Sequence, residues 1–182
     1  LIFKSLGYLK PARGRMEVLS ETKNKALVII DYAHTPAALK SALKSIQEII
    51  DRERIITLFG CGGDRDKNKR KMMGEIANEY SDIVIVTDDN PRNEIPSNIR
   101  SEILSGCPSA TEIPNRDKAI KYAVSLLKKN DLLLIAGKGH ETFQAVGIET
   151  LPFDDYTVAK EAIKNIEKSG IINWSLYGPK KI

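Results

Sequence analysis

The chain has 182 residues, of which 42% are hydrophobic and 29% are charged, and its net charge is +4. This length suits one domain, and the apolar content is sufficient for a buried core, which excludes a wholly disordered chain. No run of about 18 apolar residues and no apolar signal segment occurs, which argues against a membrane span and against secretion. Cys61 and Cys107 form no CxxC pair, which argues against a zinc site and fits a reducing cytoplasm. The first residue is Leu1 rather than Met, so we expect a piece of a longer protein.

Four short aliphatic segments are predicted to be β-strands. They are Ala26–Ile30, Ile55–Phe59, Ile83–Thr87 and Leu132–Ala136. None of them alternates polar with apolar residues, which is typical of strands buried on both faces of a parallel sheet.

Apolar residues recur at helical spacing in five further segments. These segments are Leu39–Ile50, Met72–Tyr80, Ile99–Leu104, Ile120–Leu127 and Val158–Ile166. We expect Thr35 to cap the first helix before Pro36. We expect Ser97 to open the third helix and Asp154 or Asp155 to cap the fifth. Strands that alternate with helices predict an α/β fold with a doubly wound, mostly parallel sheet and helices on both faces.

Two stretches depart from this pattern. Residues 1–24 lack a helical period, so we expect an extended arm or the end of a preceding domain. Residues 142–153 contain short apolar pieces around Gly147, which predict a hairpin at the sheet edge. We therefore divide the chain into the arm, a sheet domain over 25–170 and a C-terminal extension over 171–182.

The residues that carry chemistry concentrate in the four loops that follow the predicted strands. These loops span 31–36, 60–67, 88–94 and 137–141. In open α/β sheets, ligands bind outside the carboxyl ends of the strands, so we expect the four loops to form one site.

The loop after the second strand is rich in glycine but is not a nucleotide fingerprint. Gly60 and Gly62 have the spacing of a GxGxxG motif, but Arg65 occupies the third glycine position, and no P-loop motif occurs in the chain. We expect the glycines to let the backbone turn and present Arg65 to a carboxylate. The alternative is a surface ion pair between Arg65 and Asp64 or Asp66.

A basic cluster, Lys67–Lys71, follows this loop. Most of it is predicted to be the solvated first turn of a helix, although positive charge there opposes the helix dipole and would suit nearby phosphates. No aromatic or helical basic face accompanies the cluster, so we expect no nucleic-acid partner.

The two remaining loops combine groups of opposite charge. Asp89, Asn90 and Arg92 around the rigid Pro91 could bind an ammonium and a carboxylate together, although the same residues also favour a plain turn. In the last loop Glu141 could accept an ammonium.

The glycines of the last loop and the two histidines have separate interpretations. Gly137 and Gly139 allow a close backbone approach. His34 and His140 are interpreted first as structural hydrogen-bonding residues, and without a third ligand they do not form a metal site. From the residues alone, the prediction is an α/β domain that binds a small zwitterion.

The loop sequences resemble those of the Mur ligases, the ATP-dependent amide-forming enzymes of bacterial peptidoglycan synthesis. The similar segments are GRMEV (14–18), DYAHTP (31–36), FGCGGDRDKNKR (59–70), TDDNPR (87–92) and GKGHE (137–141). The resemblance runs from about residue 10 to residue 167, and the DNPR form is that of the ligases that add meso-diaminopimelate rather than L-lysine.

The resemblance implies a Rossmann-like C-terminal domain that receives the incoming amino acid, attached to domains that bind the UDP moiety and ATP. In the reaction it implies, ATP activates the terminal carboxylate of UDP-MurNAc-L-Ala-D-Glu and the amine of meso-diaminopimelate displaces the phosphate. ATP and Mg²⁺ would be bound mainly by the other domains, so we expect this chain alone not to hydrolyse ATP. The expected protein is a monomeric bacterial cytoplasmic enzyme with small-molecule substrates. The alternatives are a separate amino-acid-binding module and a ligase specific for L-lysine.

The resemblance also assigns site residues. Those implied to bind meso-diaminopimelate are Arg65, Asp89, Asn90, Pro91, Arg92, Gly137 and Glu141. Arg15 and Asp31 resemble positions near the ATP phosphates and ribose, with His34 near the nucleotide. No residue of this domain is expected to be catalytic, because its role is substrate positioning. Asn68 and Lys71 depart from the glycine and proline that are common in relatives, which leaves the start of that helix open.

Overall fold

The computed structural model describes residues 12–22, 25–49 and 52–169. The strands are β1 (Glu17–Glu21), β2 (Leu27–Asp31), β3 (Ile55–Phe59), β4 (Ile83–Val86), β5 (Thr111–Glu112), β6 (Leu132–Ala136), β7 (Phe143–Val146) and β8 (Glu149–Pro152). The helices are α1 (Pro36–Ile49), α2 (Asn68–Tyr80), α3 (Pro96–Leu104), α4 (Arg116–Ser125) and α5 (Asp155–Ser169).

The main sheet has the strand order β1-β2-β6-β3-β4-β5. All pairings among β2, β6, β3, β4 and β5 are parallel. At one edge, β1 pairs with β2 in the antiparallel sense. The predicted mostly parallel sheet is therefore confirmed. The position of β6 between β2 and β3 brings the loops after these three strands together at one edge.

Helices cover both faces of this sheet, as the doubly wound prediction requires. Helices α1, α2 and α3 pack on one face, where Leu134 of β6 lies in the core. Helices α4 and α5 pack on the other face, against residues such as Leu133 and Ile135 of the same strand. Because successive strand residues point to opposite faces, a strand between two helical layers is expected to be apolar on both. This explains why β2, β3 and β6 are mainly apolar, with Asp31 at the end of β2 and Thr57 within β3 as polar exceptions.

The helix starts agree with the sequence at two of the three predicted caps. The Thr35 hydroxyl accepts a hydrogen bond from the Ala38 backbone N–H (3.2 Å), and α1 begins at Pro36 as predicted. Asp154 accepts from the N–H of Tyr156 (3.2 Å) before α5. The predicted start of α3 at Ser97 is wrong. This helix begins at Pro96, whose fixed φ suits the first turn, and no side chain caps it.

Residues 143–152 form the predicted hairpin, but as a separate two-stranded sheet rather than an added strand of the main sheet. The sequence did not predict β1 and β5 as strands. The division of the chain at residues 24 and 170 stays a prediction, and the extension over 171–182 lies outside the described residues. Within the described part of the chain, no helix has the length and apolarity that a membrane span requires.

Candidate functional site

A cleft of about 510 Å³ lies at the carboxyl edge of the main sheet, where the loops after β2, β3, β4 and β6 meet. Its lining includes seven of the residues singled out from the sequence, namely His34, Arg65, Asp89, Asn90, Arg92, Gly137 and Glu141. Pro91, Arg15 and Asp31 lie outside this lining. The topology therefore brings the two arginines and the two carboxylates of the predicted amino-acid site into one cleft.

The two arginines of the cleft converge on Gly62. A Cβ atom at this glycine would lie 2.8 Å from the Nη1 atom of Arg92 and 3.8 Å from the Cγ atom of Arg65. Arg65 is exposed, and its Nη1 atom donates to the Asp64 carbonyl (3.2 Å). No ion pair joins Arg65 to Asp64 or Asp66 within the described residues; these carboxylates accept instead from the Asn93 side-chain amide (2.8 Å) and from the Asn68 N–H (2.9 Å).

Arg92 has a backbone conformation that its neighbours impose. Its φ of 50° lies in the left-handed region, which is unfavourable for a residue with a Cβ atom. The β7–β8 hairpin holds it there: the Arg92 N–H donates to the Ala145 carbonyl (3.1 Å), and the Gly147 N–H donates to the Arg92 carbonyl (2.7 Å). The Nη1 atom donates to the Gly63 carbonyl (2.8 Å). One edge of the guanidinium is therefore anchored, and its Nε and Nη2 atoms have no hydrogen-bond partner in the described residues.

Asp89 lies against the last loop of the site. One of its carboxylate oxygens would be 2.9 Å from a Cβ atom at Gly137, whose φ is +114°. Both the conformation and the close approach require glycine at this position. The other oxygen accepts from the Asn90 N–H (2.7 Å), and Asp89 is only 9% exposed. The carboxylate is thus fixed at the floor of the cleft.

A buried lysine joins Asn90 to Glu141. The Nζ atom of Lys138 donates to the Oδ1 atom of Asn90 (2.8 Å) and lies 3.2 Å from the Glu141 carboxylate. The same Oδ1 atom accepts from the Ala145 N–H (3.0 Å), so the Nδ2 atom points to Glu141 (2.9 Å). Two donors at Oδ1 determine the amide orientation. Lys138 was not among the predicted site residues, although its position between Gly137 and Gly139 in a ligand loop was a signal.

Arg70 corrects the interpretation of the basic cluster. It was expected on a solvated helical turn, but its side chain is fully buried and makes ion pairs with Glu94 (2.8 Å) and Glu102 (2.8 Å). Lys67 and Lys69 also have partners, since Lys67 lies 3.4 Å from Glu94 and Lys69 donates to the carbonyl of His34 (2.7 Å). Arg70 is thus neutralised within the fold, whereas Lys67 and Lys71 stay 63% and 62% exposed, as the predicted solvated turn requires.

A second buried arginine anchors the end of β6. Arg116 and Asp155 are both 0% exposed and form an ion pair with oxygen–nitrogen distances of 2.7 and 2.8 Å. The Nη2 atom of Arg116 also donates to the carbonyl of Ala136 (3.0 Å). Because Gly137 follows Ala136 directly, this contact fixes the start of the loop that carries Glu141.

At one end of the cleft lining, a cationic and aromatic surface forms around Tyr32. The guanidinium carbon of Arg15 lies 4.7 Å from the Tyr32 ring centroid, and the rings of His34 and His140 lie 4.5 and 5.1 Å from it. The carboxylate of Asp31 accepts from the N–H that follows Arg15 in the chain (2.7 Å). Arg15 and Asp31 therefore lie close to Tyr32 and His34, which line the cleft.

Neither cysteine is positioned as a reactive thiol. Both cysteines are buried free thiols, and burial raises the pKa of the cleft residue Cys61 to about 12. This thiol is therefore protonated and a poor nucleophile at neutral pH. No group of three His, Cys, Asp or Glu side chains that could hold a metal ion occurs in the described ranges.

Comparison with known proteins identifies the family. A family model described as "Mur ligase, glutamate ligase domain" matches residues 14–139, which is more than half of the chain. The chain belongs to the Mur ligase family. The resemblance inferred from the loop sequences is confirmed, and the α/β sheet is the fold of this Mur ligase domain.

Relatives and solved structures agree with this assignment. A protein of Agrobacterium fabrum named UDP-N-acetylmuramoyl-L-alanyl-D-glutamate--2,6-diaminopimelate ligase is 52% identical over 168 residues, which are 92% of this chain and 34% of that protein. A solved structure of the same name has a TM-score of 0.79 and 36% identity, covering 90% of this chain and 34% of its own. The chain thus spans about a third of the length of these Mur ligases.

A more distant structure, FolC of E. coli in complex with ADP, has a TM-score of 0.58. It is 19% identical, and the match covers 87% of this chain and 33% of that one. At this identity it supports the fold alone.

Proposed function

We propose that this chain is the amino-acid-binding domain of a Mur ligase that uses ATP to join meso-diaminopimelate to UDP-MurNAc-L-Ala-D-Glu in bacterial peptidoglycan synthesis. The observation that carries the proposal is the single cleft in which Arg65 and Arg92 meet Asp89 and Glu141. Two guanidiniums and two carboxylates are complementary to a ligand with paired carboxylates and ammoniums. The name of the Agrobacterium fabrum relative supports the same ligand.

Carboxylate recognition is assigned to the arginines. Arg92 has one edge of its guanidinium held by the Gly63 carbonyl, which leaves the other edge for a bidentate contact with a carboxylate. Arg65 donates to the Asp64 carbonyl and also lies near Gly62, with its Cγ atom 3.8 Å from a Cβ atom built there. We assign the distal carboxylate of the ligand to Arg92, and a group nearer the reacting amine to Arg65.

Ammonium recognition is assigned to the carboxylates. Asp89 is fixed beneath Gly137, and Glu141 is held by Asn90 and Lys138 while its side chain stays 21% exposed. The distal ammonium would meet Asp89 and the Asn90 loop. Pro91, which lies outside the cleft lining, supports this loop because its ring restricts the backbone.

The mechanistic role of these residues is positioning. ATP, when bound to the complete enzyme, supplies the activation of the acceptor carboxylate. The residues of this chain hold the diamino acid so that its free amine faces that carboxylate, which replaces a bimolecular encounter by a fixed approach. Closure of this domain onto the rest of the enzyme would complete the arrangement.

The surface around Tyr32 is proposed as the nucleotide-facing side of the domain. Arg15 would lie near the phosphates, Asp31 near the ribose and His34 near the nucleotide. A guanidinium beside aromatic rings suits a polyphosphate attached to a planar base. Mg²⁺ is assigned to the other parts of the enzyme.

A ligand titration of this chain, followed by the NMR shifts of its backbone amides, tests the proposal. We expect meso-diaminopimelate to shift the amides of 88–92 and 137–141. Arg92→Ala should weaken the binding of this ligand without changing the response of residues near Tyr32 to ATP. The proposal is wrong if these loops do not respond to meso-diaminopimelate, or if Arg92→Ala binds it as the unaltered chain does.

An exchange of domains separates the enzyme from the two alternatives. The Agrobacterium fabrum relative, with its corresponding third replaced by this chain, should form the amide bond with meso-diaminopimelate and much more slowly with L-lysine. A preference for L-lysine would support the lysine-adding ligase. Binding of the diamino acid by a folded hybrid without amide formation would support a separate binding module.

A further inference from the structure

We propose that Glu94 is a positioning residue that fixes the guanidiniums of Arg65 and Arg92 relative to each other and so determines the preference for a diamino acid with a second carboxylate. The inference rests on the proposed function, because it concerns the same cleft. Glu94 lies in the loop after β4, two residues beyond Arg92, and it is outside the cleft lining.

The first observation is the position of the Glu94 carboxylate between two loops. Its Oε1 atom accepts from the Asp64 N–H (2.6 Å), and Asp64 directly precedes Arg65. Both carboxylate oxygens accept from Arg70, at 2.8 and 3.0 Å. Asp64 has a φ of 53°, a strained conformation for a non-glycine residue, and the contact from Glu94 holds it.

The second observation is that Arg70 is itself fixed. Its side chain is fully buried, and besides the bidentate pair its Nη2 atom donates to the Gly62 carbonyl (3.3 Å). A planar guanidinium with several partners has little freedom to move. Arg70, in α2, therefore holds the Glu94 carboxylate in a fixed position. Glu94 in turn fixes the backbone at Asp64, the residue before Arg65.

The third observation is the set of direct bonds between the two loops. The Gly63 N–H donates to the Asn90 carbonyl (2.9 Å), and the Asn93 amide donates to the Asp64 carboxylate (2.8 Å). Arg92 closes the same contact by donating to the Gly63 carbonyl (2.8 Å). The loops after β3 and β4 are thus joined by several hydrogen bonds, and the Glu94 carboxylate adds a charged contact to the Asp64 N–H.

The consequence concerns selectivity rather than affinity in general. Guanidiniums bind a carboxylate strongly only when the distances and angles of their hydrogen bonds are close to ideal. Misalignment of the guanidiniums therefore weakens the binding of the carboxylate steeply. An ammonium bound by Asp89 and Glu141 does not depend on the guanidinium spacing. Loosening Glu94 should therefore penalise meso-diaminopimelate, which has the distal carboxylate, more than L-lysine, which lacks it.

The test compares Glu94→Gln with Glu102→Gln. Glu102 is a matched control because it also pairs with Arg70 (2.8 Å), is 43% exposed, and makes no contact with either loop in the described structure. Affinities for meso-diaminopimelate and L-lysine are measured by NMR titration of the whole chain. We expect Glu94→Gln to reduce the ratio of the two affinities by about tenfold and Glu102→Gln to leave it within about twofold.

Each outcome supports or overturns the inference. An unchanged affinity ratio in Glu94→Gln would contradict the inference, because it would mean that the two ligands are weakened alike by a general loosening of the fold. An equal fall of the ratio in Glu94→Gln and Glu102→Gln would also contradict it, because Glu102 makes no contact with either loop in the described structure. If the unaltered chain has no preference for meso-diaminopimelate, the proposed function fails instead. If Glu94→Gln does not fold, Asn93→Ala removes an exposed bond between the same loops, and we expect it to lower the ratio by about threefold. An unchanged ratio there would also overturn the inference.

Discussion

Replacement of Lys138 by methionine tests whether the buried lysine holds the site together. The side chain is fully buried, and Lys138→Met keeps a similar volume while it removes the hydrogen bond to Asn90 and the ion pair with Glu141. Asn90 keeps the Ala145 N–H as a donor to its Oδ1 atom. The substitution therefore isolates the contribution of the buried ammonium.

The contacts of Lys138 set the expected magnitude. Hydrogen bonds to charged groups contribute about 1.5–3 kcal/mol. The Glu141 side chain is 21% exposed to solvent and keeps the hydrogen bond from the Asn90 amide, so its charge is not left isolated. We expect the free energy of unfolding to fall by about 2–3 kcal/mol. For a domain of this size, that lowers Tm by about 5–10 °C.

Lys121→Met is the matched control for this measurement. Lys121 forms an ion pair of 2.8 Å with Asp117, but these side chains are 32% and 38% exposed. An exposed pair contributes about 0–1 kcal/mol. Urea unfolding followed by circular dichroism gives both values, and the Asn90 side-chain amide signals should shift only in Lys138→Met. The reasoning is refuted if both variants lose the same stability and these signals stay in place.

Three further perturbations have defined outcomes. Gly137→Ala should weaken meso-diaminopimelate binding by about tenfold in the NMR titration, because its Cβ atom would lie 2.9 Å from an Asp89 oxygen at a φ of +114°; unchanged affinity would contradict this. Arg116→Met should cost about 3–5 kcal/mol in urea unfolding, because it leaves the 0% exposed Asp155 unpaired; adding Asp155→Leu should recover part of that loss. The Arg70 hydrogen bonds lower the pKa of Glu94 from 4.5 to about 2, so this group stabilises the fold above pH 4.5 and the benefit disappears as the pH falls towards 2. The stability difference between the unaltered chain and Glu94→Gln should therefore shrink over that range, and a constant difference would exclude this cause.

The sequence by itself determined the layers of the fold. Strands β3 and β6 have the predicted bounds, because a continuous aliphatic run between turn residues is sufficient to define a strand covered on both faces. Helix α1 begins at the predicted proline for a similarly local reason. The loops of the site were identified because the carboxyl ends of parallel strands lie at one edge. The separate hairpin was predicted as an element, but its partner was not, since Arg92 is far from it in the chain.

Only the tertiary structure decided which charged residues are buried. Arginine and lysine are usually exposed residue types, yet the side chains of Arg70 and Lys138 are fully buried. Glu94, which makes Arg70 tolerable in the interior, is 24 residues away from it, and Asn90, which accepts from Lys138, is 48 residues away. A charge can be buried when partners from distant elements replace its water. The sequence around each buried charge does not contain those partners. The hydrogen bonds and ion pairs that fix the site residues are therefore seen only in the folded structure.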